Sequence, residues 1–449
     1  MLSFIVICCA LAAGHFLRMK LRILQRLYLP SCVIGGIFAL IVLQFLSPET
    51  KGSWTAGWSK LPGFLINIVF ACLFLGIKIP SMKQVWDRSS TQVAYGQIVA
   101  WGQYAVGVGA WLLLLRWIWP QLPAMFGGVL PVGFEGGHGT AGGLAPVFEQ
   151  YDWIAGKDFA LASATFGILG AIIVGMILVN WAARKGYTVK YAEPVDLTED
   201  DTIGVIPIGQ RPSAGRLTVN SDAIESTSLH LAIVGIACLI GYLIKQGLVG
   251  IEASSEQLSN LGLLKGFPLF PLCMIGGIII QLWEDKFDKH NLIDLGIMRR
   301  IQNTALDFLV VAAIATIKLS VVVQGLLPLV ILVTLGILWN VVCVMFLARR
   351  VFKDSWFERS IAEMGQSMGV TATGLLLLRV VDPDYETPAA DAFACKQIVH
   401  EPFMGGGLWT GMAIPLLAIK GGWFVFIIAL AAIFIWSIVI LALKKASSS

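Results

Sequence analysis

The residues Glu135-Gly-Gly-His-Gly-Thr-Ala-Gly-Gly143 place a carboxylate, an imidazole and a hydroxyl among five glycines, with Pro131 before them and Pro146 after. Each glycine costs about 1 kcal/mol against alanine in a helix interior, and a proline on either side interrupts the helical ladder. The composition predicts a break in otherwise apolar, helical sequence. Non-helical backbone at membrane depth persists only where protein buries it or where it lines a wet cavity. Its freed N–H and C=O groups, with Gly137, His138, Gly139 and Thr140 at the tip, could hold an ion or a carboxylate. Residues 121–150 read as a re-entrant loop forming half of a binding site. A plainer reading has His138 tying down the loop backbone through a hydrogen bond.

A second stretch of the same character runs from Glu363 through Met-Gly-Gln-Ser-Met-Gly-Val-Thr-Ala-Thr to Gly374, within a re-entrant loop expected over 355–380. Sodium, like other hard cations, takes oxygen ligands, and Gln366, Ser367, Thr371 and Thr373 supply them without a full charge. Threonines can instead bond back to their own helix. Gly369 is the expected point of close backbone approach. Lys396 and His400 stand i,i+4 on one helix face, with Glu401 beside them. They form an internal network, or Lys396 grips a substrate carboxylate with Glu401 holding it. Arg379 competes for that grip, because a guanidinium binds carboxylates bidentately. Asn67 and Asp307 are further oxygen donors, and a carboxylate inside a membrane is a functional hypothesis by default. Glu135 and Glu363 are expected at helix N-termini, neutralising the dipole. Lys78 and Lys318 read as snorkelling lysines.

These residues need a membrane-spanning frame. The 449-residue chain is 57% hydrophobic and 13% charged, where a soluble domain carries about 25% charged residues. It is an all-α polytopic membrane protein by composition, and a net charge of +4 gives no reason to expect a nucleic-acid partner. The eight cysteines (Cys8, Cys9, Cys32, Cys72, Cys238, Cys273, Cys343 and Cys395) follow no disulfide or metal spacing and read as small buried hydrophobes. The first apolar run, Leu2–Leu17, has basic residues only after it, the reverse of a cleaved signal. Spans are expected at 2–17, 27–46, 62–80, 93–119 and 158–182, then at 228–247, 266–283, 304–324, 326–347, 390–415 and 421–443. Between the sets lies a polar stretch, 183–226, read as a cytoplasmic linker. Basic clusters at Lys83/Arg88, Arg184/Lys185, Lys286–Arg300, Arg349–Lys353 and Lys444/Lys445 then share the cytoplasmic side, as positive-inside bias requires.

The halves are related. Pro30-Ser-Cys-Val-Ile-Gly-Gly-Ile37 recurs 241 positions later as Pro271-Leu-Cys-Met-Ile-Gly-Gly-Ile278, and Gly76-Ile-Lys-Ile79 recurs 240 later as Thr316-Ile-Lys-Leu319. Asn67 and Asp307 are paired by the same offset. Five spans before the linker make the second copy start on the opposite side, so the expected organisation is two inverted repeats, 1–182 and 227–415. Residues 416–449 form an extra C-terminal helix and tail. Secondary transporters built this way hold substrate and ion where the broken helices meet.

Gly136-Gly-His-Gly-Thr140, Gly369-Val-Thr-Ala-Thr-Gly374, Ala162-Ser-Ala-Thr-Phe-Gly167 and the Pro-x-x-x-x-Gly-Gly pattern at Pro30 together resemble the bacterial sodium/glutamate symporter family over most of residues 1–415. The resemblance implies a homodimeric, sodium-coupled importer of glutamate in the bacterial inner membrane, with a scaffold part and an elevator-like moving part. The second loop carries Gly365-Gln366 and Ala372-Thr373 in place of a Gly-His start and a Pro-Thr pair, so another small carboxylate stays open. Proton coupling through His138, Asp307 or Glu401 is an alternative to sodium. An ion channel fits less well, and no nucleophile or metal constellation marks an enzyme. With no Gly-x-x-x-x-Gly-Lys-Ser/Thr loop to bind ATP, an ion gradient must drive transport.

With the N-terminus outside, both the 183–226 linker and the C-terminus are cytoplasmic. Single cysteines introduced into the linker, which has none of its own, should be labelled by an impermeant reagent in inside-out vesicles and not in intact cells. Labelling of the linker from outside alone would overturn the inverted arrangement.

Overall fold

The computed structural model describes residues 1–27, 29–188, 205–206, 209, 211–254, 263–382 and 386–446. Much of the expected linker, and the last residues of the tail, lie outside them. The described residues form helices and turns, with no strand among them. Seven helical segments are long and apolar enough to cross a membrane: Leu2–Lys20, Met82–Ile118, Ala155–Arg184, Ser226–Ala253, Leu326–Val351, Gly422–Lys445 and, in two pieces, Ala389–Lys420.

Several expected spans are shorter or broken, each at an identifiable residue. The 27–46 run becomes Ser31–Gln44, entered through Pro30. The 62–80 run stops at Ala71 and turns through Gly76, whose φ of +76° favours glycine. The 304–324 run begins earlier, at Leu295, where the Asp294 carboxylate accepts from the Ile297 N–H and caps the first turn. It breaks after Ala315 and resumes as Leu319–Gln324. The 390–415 run is interrupted by Pro402 and Gly405–Gly407, giving Ala389–Phe403 and Leu408–Lys420. The glycine stretch departs from expectation too. Breaks fall at Glu135–Gly136 and at Leu144, but Gly137–Gly143 between them is a short helix.

The chain divides into two compact units. The first comprises Met1–Pro80, Gly142–Gln150 and Leu197–Ile317. In it, Leu2–Lys20 packs on Ser31–Gln44 through small residues: a Cβ added to Gly35 would lie 2.5 Å from the Ala10 carbonyl oxygen, and one on Gly14 would lie 2.2 Å from that of Ser31. The second half repeats this contact. A Cβ on Gly276 would lie 2.1 Å from the Ala237 carbonyl oxygen, and one on Gly241 2.5 Å from the Cys273 nitrogen. Without a hydrophobic force between helices in lipid, such close backbone approach is what holds them. The side chains of Asn67 and Asp307 also meet matching partners. The Cys273 thiol lies 3.9 Å from Asn67 Oδ1, and the Cys32 thiol bonds to Asp307. Between Phe270–Phe287 and Leu295–Ala315, Asp288 accepts from the Leu292 and His290 N–H groups. These bonds hold its carboxyl below the usual carboxylate range.

The second unit comprises Ser81–Ala141, Tyr151–Asp196 and Lys318–Ser449. Met82–Ala110 opens with a reciprocal cap, Ser81 and Gln84 each bonding the other's backbone N–H. It packs against Met125–Phe134, Ala389–Phe403 and Gly422–Ala446. Both Met82–Ile118 and Leu326–Val351 contain a single π-helical turn, Trp111–Leu115 and Cys343–Leu347. Trp356–Met368 and Thr371–Val381 fold into a tight hairpin about Gly369–Val370, in which a Cβ on Gly365 would lie 2.7 Å from the Gly374 Cα.

Gly35→Leu and Gly276→Leu should each lower folded yield and melting temperature, since overpacking costs about 1–3 kcal/mol or more. Gly235→Leu, where nothing lies within 4 Å, serves as the control and should melt like the parent. Equal behaviour of all three would show that these contacts do not hold the helices.

Candidate functional site

Trp356–Met368 is amphipathic yet buried along its length from Phe357 to Met368. Its polar face therefore meets protein and not water. Glu363, Gln366 and Ser367 stand i, i+3 and i+4 on that face. Opposite them, Ala389–Phe403 presents Lys396, Gln397, His400 and Glu401, and Met82–Ala110 presents Gln92 and Gln103. The break after Phe134 contributes Glu135.

These groups form one connected network. Lys396 Nζ donates to Glu363 Oε1 at 2.6 Å, Gln366 Oε1 at 3.0 Å and Gln397 Oε1 at 3.0 Å. Gln92 Nε2 donates to the other Glu363 oxygen at 2.9 Å. Glu135 accepts from Ser367 Oγ at 2.6 Å, Gln366 Nε2 at 3.1 Å and His400 Nε2 at 3.0 Å. Gln103 Nε2 donates to the Ser367 carbonyl at 2.7 Å. At the half-buried edge, Thr371 Oγ1 donates to Glu401 Oε1 at 2.6 Å, and Gln397 Nε2 donates to Thr371 Oγ1 at 2.7 Å. His400 Nε2 meets a carboxylate, so it carries the hydrogen, and Nδ1 is left bare among the described residues. The Lys396–Glu363 pair is fully buried, as is His400 with Glu135. Removing one partner of a buried ion pair typically costs about 3–5 kcal/mol.

Charge balance decides what this network can hold. Three carboxylates face one ammonium and one imidazole, so even an imidazolium would leave a negative charge without an internal counter-charge. Burying such a charge is costly unless a proton or a cation neutralises it. Gln92 Oε1 and Gln103 Oε1, three turns apart on one helix, and Ser163 Oγ are buried without hydrogen-bond partners among the described residues.

The two helix breaks meet at this place. A Cβ on Gly137, whose φ is +65°, would lie 3.3 Å from Val370 Cγ1 and 3.5 Å from the Gly369 carbonyl oxygen. Of the expected site residues, the second unit brings together Gly137, Gly369, Gln366, Ser367, Thr371, Lys396 and Glu401. Positive φ falls on Gly137 and on neither Gly139, which lies inside the short helix, nor Gly369, whose φ is −133°. His138 is buried against Thr165, with Nε2 3.0 Å from its hydroxyl, and Thr140 is buried beside it. Thr373 lies in the first turn of its helix, its N–H bonded to the Val370 carbonyl. Arg379 is exposed two turns along the same helix. Asn67 and Asp307 belong to the first unit, where Asn67 Nδ2 bonds the Gly63 carbonyl at 2.8 Å.

Two expectations change. Glu363 lies inside Trp356–Met368 and not at a helix start, while Glu135 sits in the break before Gly137–Gly143. Both are buried acceptors of the network. Lys396 takes Glu363 as its counter-charge and is not held by Glu401. Gln92, Gln103 and Gln397 were not singled out from sequence. The signal was available, since an amide recurring after three turns of an apolar run, as Gln92 and Gln103 do, must find a buried partner.

The sequence profile of the family described as sodium/glutamate symporter matches residues 1–386. No curated protein and no solved structure gives a match.

Glu135→Ala would strip the acceptor from three buried donors at about 1–3 kcal/mol each, less whatever relaxation recovers. Its melting temperature should fall well below that of Ser163→Ala, which removes a hydroxyl without a described partner. Comparable melting of the two variants would mean that Glu135 is not structurally engaged.

Proposed function

We propose that this chain, which belongs to the sodium/glutamate symporter family, imports a small anionic amino acid, glutamate, together with sodium by alternating access. Family membership makes it a multi-pass membrane symporter and not an enzyme. The observation that carries the finer reading is the buried network of excess carboxylates where two helix breaks meet. An ion gradient can act on a protein only through a site whose charge differs between loaded and empty states, and this network is such a site.

In this reading Gln366, Ser367, Thr371 and Thr373 are the sodium ligands nearest the second break, with Asp307 and Asn67 as candidates in the first unit. The backbone about Gly137–Thr140, including His138 and Gly139, meets the substrate carboxylate together with Gly369. Glu401 reads its ammonium group, Arg379 stands at the end of the segment, and Lys396 contributes charge. The Trp356–Met368/Thr371–Val381 hairpin is the second re-entrant loop. Its longer arm has 13 residues, about 20 Å of helix at 1.5 Å per residue, short of the roughly 30 Å hydrocarbon core. The matched Gly35/Gly276 contacts support two inverted repeats, 1–182 and 227–415. Each compact unit draws on both halves of the sequence, which suits a scaffold (the first unit) and a moving part (the second) in a homodimer. The N-terminus lies outside and the C-terminus in the cytoplasm of a bacterial inner membrane. A second small carboxylate remains an alternative, because backbone amides and hydroxyls read a carboxylate without reading the rest of the molecule.

Uptake of labelled carboxylates into proteoliposomes, with sodium or choline outside, tests this directly. Saturable accumulation of glutamate only with sodium is expected. Accumulation without sodium, or unsaturable flux, would exclude sodium symport. Thr371→Ala/Thr373→Ala should raise the sodium concentration needed for half-maximal uptake, each lost ligand costing about 1–3 kcal/mol. Gly369→Val, whose Cβ would lie 2.9 Å from Thr373 Oγ1, should abolish uptake while leaving inserted protein.

A further inference from the structure

The environment of Lys396 differs from that of a simple ion pair. Its ammonium sits among three oxygens from three residues, at 2.6 to 3.0 Å, and two of those oxygens belong to neutral amides. Each acceptor is locked by a second bond. Gln92 holds the far oxygen of Glu363. Gln366 must turn its Oε1 to the ammonium because its Nε2 donates to Glu135. Gln397 must do likewise because its Nε2 donates to Thr371 and Glu401. The neighbouring helix leaves room for the pair: a Cβ on Gly96 would lie 2.5 Å from Glu363 Oε1 and 2.6 Å from Lys396 Cε. Oriented neutral oxygens around one carboxylate make a cation-binding cage, and its spacing suits charge-assisted N–H···O bonds.

We propose that the Lys396 ammonium is a tethered ion occupying a monovalent-cation site. The inference rests on the sodium-symport reading above for its functional meaning, though not for its geometry. The cage keeps a positive charge at the second helix break without drawing one from solution. Fewer free cations are then needed to neutralise the network than in a chain with an uncharged residue at this position. Through Gln397 the cage bears on Thr371 and Glu401, so the tethered charge also sets the orientation of the half-buried edge of the site.

The test uses purified full-length Lys396→Ala, prepared and melted in choline, sodium, potassium or ammonium chloride at one ionic strength. Glu363→Gln/Lys396→Met, which removes the charge and its counter-charge together, is the control. Lys396→Ala should melt below the parent in choline and recover in ammonium, with sodium or potassium recovering it in part. The parent and the double variant should show no ammonium effect. If Lys396→Ala yields folded protein only when made in ammonium, that is the same result in stronger form. Equally low melting or yield in every salt identifies an ordinary buried ion pair and overturns the proposal, as does parent-like melting in choline. In proteoliposomes, Lys396→Ala should show a steeper sodium activation of uptake than the parent. Sodium-independent uptake by the parent would remove the sodium reading, while ammonium-dependent melting of Lys396→Ala would still decide the cage.

Discussion

Taking charge out of water is the constraint on which the second unit depends. An ion moved into a protein interior loses several kcal/mol of solvation even after relaxation, and Glu363, Lys396 and Glu135 are all buried. Such groups persist only if fixed dipoles replace the water they have lost. That requirement explains why Trp356–Met368 is polar on one face although it is buried from Phe357 to Met368, and why glutamines line the apolar helix Met82–Ala110. It also explains why the helix must break. Gly369–Val370 frees backbone groups and turns the chain. Thr371 thereby comes within hydrogen-bond distance of Glu401, and Gln366 and Ser367 face Glu135.

The class of the protein was legible in composition, and most helices in their apolar runs. What went astray were the boundaries and the meaning of the glycines. Propensity disfavours a helix over Gly137–Gly143, yet the helix forms because packing decides the matter. A Cβ on Gly143 would lie 2.8 Å from the Ile66 side chain, and one on Gly142 3.0 Å from Pro62. These glycines serve close approach and not only chain reversal. The polar residues of the site were visible as types, since lysine, histidine and glutamate in an apolar helix demand partners. Their pairing was not visible. Lys396 is five residues from Glu401 and 33 from Glu363, and only the tertiary arrangement of Trp356–Met368 makes the distant carboxylate its counter-charge.

The 240–241-residue offset in the sequence has counterparts among the contacts. The matched motifs carry the same contact in each half, Gly35 on Ala10 and Gly276 on Ala237. The cysteines that follow the matched prolines each reach across to the other half, Cys32 to Asp307 and Cys273 to Asn67. A side-chain pair that crosses between halves in both directions ties the two copies into one unit. The chemistry at the crossing is not symmetric, since one copy presents a carboxylate and the other an amide.

Glutamine is the residue that makes the network a single object. An amide has a donor end and an acceptor end, so a bond made at one end dictates what the other must face. Gln397 donates to Thr371 and Glu401 and therefore turns its oxygen to Lys396; Gln366 donates to Glu135 and does the same. A ligand that captured the Thr371 hydroxyl or the Glu401 carboxylate would compete for the Gln397 amide. It would thus alter the acceptors of an ammonium that has no water to fall back on. By linkage the coupling runs both ways: whatever binding at Glu401 does to the Lys396 cage, a change in that cage does to binding at Glu401 by the same coupling free energy. Carboxylates and lysines alone could supply the charges. The amides between them convert separate ion pairs into a site whose half-buried edge and fully buried centre cannot change independently.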